Sequence, residues 1–153
     1  MAFQRILVPV DYSDHCLAAL RYAAELAQGF GGKLDIVHVW DRPTYISDAV
    51  LVGHGASQKP LGELIRENAE HDMQAFLAKV TLPPGVLGGE RLVSGDPASA
   101  LLKEIEREKY DLVVMGTHGR SGFAHLLLGS VTEKLIRHSP VPVLTVPRGA
   151  STA

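Results

Sequence analysis

Five short apolar runs alternate along the chain with longer stretches in which apolar residues recur every three or four positions. The first run, Phe3 to Val10, ends in Ile6-Leu7-Val8-Pro9-Val10, a continuous block typical of a strand covered on both faces. Lys33 to Trp40 is the second, carrying Leu34, Ile36, Val37 and Val39. Val86 to Val93 is a weaker third, interrupted by Gly88-Gly89, which suits an edge position. Tyr110 to Met115 is the fourth and the most apolar after the first. Val141 to Val146, flanked or interrupted by Pro140, Pro142 and Pro147, is the last. Between the runs the period becomes helical. Leu17, Leu20, Ala24 and Ala27 share one face, with Ser13 and Asp14 as candidate N-caps and Gly29, Gly31 and Gly32 as the stop. A second stripe runs from Leu61 through Leu64, Ile65, Ala69, Met73, Phe76 and Leu77 to Val80. Asp96-Pro97 opens a third helix with Ala98, Leu101, Leu102 and Ile105 buried, and Val131, Leu135, Ile136 and His138 continue as a fourth. Residues 41–59 form a long connection without clear period; Tyr45, Ile46 and Val50 to Val52 suit either a packed turn or a flap.

Strand and helix alternating at this spacing predict an α/β fold, a doubly wound five-stranded parallel sheet with helices on both faces. Right-handed crossovers leave few topologies. Placing the two most apolar strands side by side at the centre gives the order 3-2-1-4-5. The switch point then falls between the carboxyl ends of strands one and four, where open α/β sheets bind ligands. Asp11 and Gly116 sit at those two ends. One domain over residues 1–148 with a short tail, 149–153, is expected.

Composition narrows the function. The chain has 153 residues, 46% hydrophobic and 21% charged, with a net charge of −2, which argues against a nucleic-acid partner. Its one cysteine, Cys16, forms no intrachain disulfide framework and fits a reducing compartment. The first residues run straight into a strand pattern without a signal-peptide layout, and no apolar run reaches membrane-spanning length. A cytoplasmic protein without a membrane partner is expected.

The stretch from Met115 to Glu133 holds four glycines, an arginine and hydroxyl residues between a strand and a helix. Such a turn aims several backbone N–H groups into one concavity, and the helix start adds more donors and a positive dipole end, an arrangement suited to phosphate. Three familiar phosphate signatures do not fit. No Gly-Lys-Ser or Gly-Lys-Thr occurs, as a P-loop requires. The first strand–helix turn, Val10 to Asp14, has no glycine, as the dinucleotide fingerprint requires. A phosphoacceptor receiver wants an aspartate at the end of strand three, where Ser94-Gly95 stand. What remains is Gly116-x2-Gly119, nine residues, then Gly129-Ser130.

That spacing resembles the ATP-binding branch of the universal stress protein family, whose pattern is Gly-x2-Gly-x9-Gly-(Ser/Thr). Pro9-Val10-Asp11, His38-Val39, Gly95-Asp96-Pro97 and the final Pro-Val-Pro-Val strand extend the resemblance over nearly the whole chain. It implies a Rossmann-like, adenine nucleotide alpha hydrolase-like fold and a nucleotide-dependent regulatory or signalling protein of the stress response. Asp11 then meets the nucleoside, and Pro9, Val10, Val39 and Met115 border the adenine. Gly116, His118, Gly119 and Arg120 lie along the phosphates, and Gly129, Ser130, Val131 and Thr132 close the phosphate site. The cofactor is ATP or another adenine nucleotide with Mg2+ or Mn2+, the ion held mainly by the phosphates. The family also implies a homodimer paired through the last strand, Val141 to Val146.

Other readings stand beside these. Ser130-Val131-Thr132-Glu133 is also a capping box. Gly116, Gly119 and Gly122 also suit plain turns with positive φ. Asp11 also reads as an N-cap, Arg120 as a solvated side chain, and Leu126-Leu127-Leu128 as packing. His118 and His125 lack any metal-ligand pattern, so no protein-held metal is expected. The stretch offers neither a P-loop lysine nor an evident carboxylate to orient water, so binding is better supported than turnover. A slow ATP hydrolase and a non-binding adaptor of the same fold are the alternatives.

Overall fold

The computed structural model describes residues 2–40, 46–118 and 128–150. Its central sheet is built from β1 (Arg5–Pro9), β2 (Lys33–Trp40), β5 (Leu87–Ser94), β6 (Leu112–Gly116) and β7 (Val143–Val146). They lie in the order β5-β2-β1-β6-β7, and every pairing is parallel. Counted among these five, this is the order 3-2-1-4-5, set by the two most apolar strands at the centre.

The helices are α1 (His15–Phe30), α2 (Leu61–Leu77), α3 (Pro97–Glu108) and α4 (Ser130–His138). Because successive strand residues point to opposite faces, β1 serves two cores at once. Ile6 and Val8 join Leu34, Ile36 and Val114 beneath Leu20 and Ala23 of α1 and Met73 and Phe76 of α2. Leu7 joins Val37, Val113 and Met115 beneath Leu101 and Ile105 of α3 and Leu135 of α4. Helices therefore cover both faces.

Two local features differ from the sequence expectations. The 41–59 connection contains a small antiparallel pair, β3 (Leu51–Val52) with β4 (Lys59–Pro60), which residue period does not reveal because each strand has two residues. The α4 helix begins at Ser130 with Gly129 as its N-cap and no side-chain capping bond, so Ser130 does not form the capping box. Asp14 occupies the N-cap position of α1, likewise without a side-chain bond.

The weakness of β5 has a visible cause. The register slips where Leu34 pairs with Leu87 but Asp35 pairs with Gly89, which leaves Gly88 as the extra residue. A Cβ on Gly88 would collide with Oδ1 of Asp35, so a larger residue there would have to displace that carboxylate.

Candidate functional site

Three strand ends and three helix starts enclose one hollow of about 360 Å3. From β1 come Pro9, Val10 and Asp11; from β2, Val39; from β6, Met115, Gly116 and His118. The helices contribute Cys16 near the start of α1, Pro97 and Leu101 of α3, and Ser130, Val131 and Thr132 of α4, with Gly129 at its cap. The hollow lies at the carboxyl ends of β1 and β6, the switch point of the strand order.

On the β1 side, Asp11 is half-buried, and its Oδ1 accepts from the Ser13 N–H at 3.0 Å and from the Ser13 hydroxyl. Tyr12 follows with φ at 65°, in the left-handed region. Cys16 is buried, and its thiol donates to the Ser13 carbonyl at 3.0 Å. Burial pushes that thiol up to about 11, so it is held as the inert protonated form.

On the opposite side, β6 delivers Gly116 against the first turn of α1. A Cβ there would stand 3.4 Å from the His15 carbonyl oxygen, at the near limit of ordinary contact. Gly116 is not among the positive-φ residues and Gly129 has φ of −69°, so neither serves as a left-handed turn glycine. Two hydrogen bonds join the end of β6 to the start of α4. The Gly129 N–H donates to the Thr117 carbonyl at 2.7 Å, and Thr132 Oγ1 donates to the Gly116 carbonyl at 3.0 Å. The first intrahelical bond of α4 runs from the Glu133 N–H to the Gly129 carbonyl. The N–H groups of Ser130, Val131 and Thr132 therefore precede the ladder, at the positive end of the helix dipole.

Eleven of the thirteen residues named from the sequence thus line the same hollow. Gly119 and Arg120 lie outside the described residues, as do Gly122, His125 and most of the Leu126-Leu127-Leu128 run. Sequence reasoning missed Cys16, Pro97 and Leu101. The Asp96-Pro97 start was the available signal for α3, since a helix entering after the β5 strand brings its first turn toward the same crevice. Among the described residues the lining contains one carboxylate, Asp11, and no lysine or arginine. No group of three metal-ligating side chains occurs among them, and none of their helices is long and apolar enough to cross a membrane.

A family model described as the universal stress protein family matches residues 2–147. Universal stress protein MJ0531 of Methanocaldococcus jannaschii is 31% identical over 146 residues, covering 95% of this chain and 83% of its own. Universal stress protein MJ0577 of the same organism is 30% identical over 156 residues, covering 95% and 96% of the two chains. A solved structure of MJ0577 aligns with a TM-score of 0.73 at 25% identity over 99% of this chain and 100% of that one. A universal stress protein crystallised in complex with cAMP aligns with a TM-score of 0.59 at 31% identity over 95% and 98%.

Proposed function

The chain belongs to the universal stress protein family, and we propose that it binds an adenine nucleotide in the hollow at the carboxyl ends of β1 and β6. The observation that carries this reading is the pairing across one cavity of a carboxylate, Asp11, with the N–H-rich start of α4. A nucleotide has matching ends: a hydroxyl-bearing sugar that a carboxylate accepts from, and phosphates that free helix N–H groups bind. The apolar slot formed by Val10, Val39, Leu101 and Met115 suits the flat face of a base. The relative solved with cAMP supports an adenine nucleotide as the class of ligand.

ATP is the favoured member, because Gly116-x2-Gly119-x9-Gly129-Ser130 matches the family's ATP-binding pattern. Asp11 holds the nucleoside; Gly116, His118, Gly129, Ser130 and Val131 face the phosphates; Gly119 and Arg120 join them on the sequence pattern alone. With no lysine or arginine among the described lining, a divalent ion on the phosphates offsets their charge. Among the described lining residues no carboxylate other than Asp11 stands ready to orient an attacking water, so binding with a regulatory output in the stress response is favoured over turnover. We place the protein in the cytoplasm as a homodimer through β7.

Titration calorimetry with ATP, AMP and cAMP, each with Mg2+ and with EDTA, tests this. ATP with Mg2+ is expected to bind most tightly, with affinity falling in EDTA. Absence of heat for all three at millimolar nucleotide overturns the reading.

A further inference from the structure

Two residues other than glycine have positive φ among the described residues, Lys109 and Tyr12. Lys109 closes the C-terminus of α3, an ordinary place for that conformation. Tyr12 has no such excuse. It sits at φ 65° in the turn leaving β1, a backbone region that bulky side chains rarely adopt. The surroundings hold it there. Its ring stacks on the His38 imidazole with centroids 4.1 Å apart and planes 28° apart, and it also meets the Phe76 ring of α2, tilted by 50° at a centroid distance of 5.7 Å. Its hydroxyl donates to the Ala69 carbonyl, also on α2, at 3.3 Å. His38 Nδ1 lies 2.8 Å from the Val10 carbonyl, which can only accept, so the ring donates through that nitrogen. One imidazole therefore fixes the residue before Asp11 through a hydrogen bond and the residue after it through a stack.

We infer that the Tyr12–His38 pair is the positioning device of Asp11, holding the β1 exit turn so that the carboxylate stands at the hollow. Its consequence for binding rests on the nucleotide reading above; the positioning itself does not. Neither side chain lines the hollow, so both act through Asp11 rather than on the ligand.

The test compares Tyr12→Phe, which keeps the ring, with Tyr12→Gly, which tolerates the φ value and has no ring. Each is made alone and with Asp11→Ala. Two quantities are read: exchange protection of the Ser13 amide in the ligand-free protein, and the dissociation constant for ATP with Mg2+. Tyr12→Gly is expected to lose Ser13 protection and to weaken ATP binding about tenfold, with Tyr12→Phe near wild type in both. In the Asp11→Ala background, Tyr12→Gly is expected to change affinity no further. His38→Phe keeps a stacking face but cannot donate to Val10. It is expected to lower Ser13 protection as well, and it stands in should Tyr12→Gly fail to fold. Unchanged Ser13 protection in Tyr12→Gly and His38→Phe, or an affinity loss of equal size with and without Asp11, overturns the inference. If the wild type binds no adenine nucleotide, the nucleotide reading falls, and the Ser13 amide still decides the positioning role.

Discussion

Thr132 carries a hydroxyl at the edge of the hollow, yet 3% of the residue is exposed and its Oγ1 is bonded to the Gly116 carbonyl. Ser130, two residues earlier, is exposed at the first helical position. The sequence pattern assigns both to the phosphates; the structure makes Thr132 the tie between β6 and α4 and leaves Ser130 as the hydroxyl better placed for a ligand. Thr132→Val keeps the shape and removes the donor, so it is expected to cost about 1–2 kcal/mol in urea unfolding, with Thr132→Ser recovering most of that. Cys16 gives a second residue-scale outcome. Its folded-state value is raised to about 11 from an ordinary value near 9, so between those pH values the unfolded chain ionises while the folded one stays protonated. Stability relative to a Cys16→Ala variant is expected to be fully present below about pH 9 and to fall as pH rises toward 11. Iodoacetamide at pH 8 is expected to label the folded protein far more slowly than the urea-unfolded one. Asp11 and Gly116 were legible in the sequence because apolar runs fix where central strands end, whereas Val39 and Met115 were named through the family resemblance. Cys16 and Leu101 were not legible, because their place depends on how closely a helix crosses the sheet, which periodicity does not encode.

Among the elements, β5 shows how an edge strand with a bulge is held. Arg91 of β5 reaches Glu108 at 3.0 Å and the buried Glu104 at 3.7 Å, both on α3, and Arg107 meets Glu104 from the helix itself at 2.6 Å. Around the bulge, Asp35 accepts from the Tyr110 hydroxyl at 2.7 Å and pairs with Arg5 at 3.3 Å. Burial first, and the Asp35 carboxylate second, keep the Tyr110 phenol protonated well above its usual range. Arg91→Met is expected to destabilise by about 1–3 kcal/mol, since Glu104 stays buried with one cation fewer. Glu104→Gln in that background is expected to recover part of the loss, as the uncompensated charge is gone. The interruption at Gly88-Gly89 identified an edge strand from sequence alone. The charged clasp across from it was not legible, because it joins residues far apart along the chain. The β3–β4 pair was also missed, and it leaves Leu51 57% exposed, so no buried stripe marked it.

At the scale of the whole molecule, the strand order places the hollow, and it also leaves an open edge. β7 pairs with β6 on one side, and among the described residues no strand pairs with the other. Leu144 on that strand is 39% exposed. Apolar edges of this kind are normally paired or protected, and Pro142 and Pro147 limit the registers a mate can adopt. Leu144→Lys is expected to shift the sedimentation of the protein from dimer to monomer without moving its far-ultraviolet spectrum. A wild type that sediments as a monomer removes the dimer. Amide chemical shifts of the labelled protein titrated with ATP and Mg2+ report residue by residue where a nucleotide binds. The largest changes are expected at Val10, Asp11, Gly116, Ser130 and Val131, and Asp11→Ala is expected to need more ATP to reach them. Changes confined to the separate groove lined by Trp40, Arg66 and Leu92, or none at millimolar ATP, overturn the nucleotide reading.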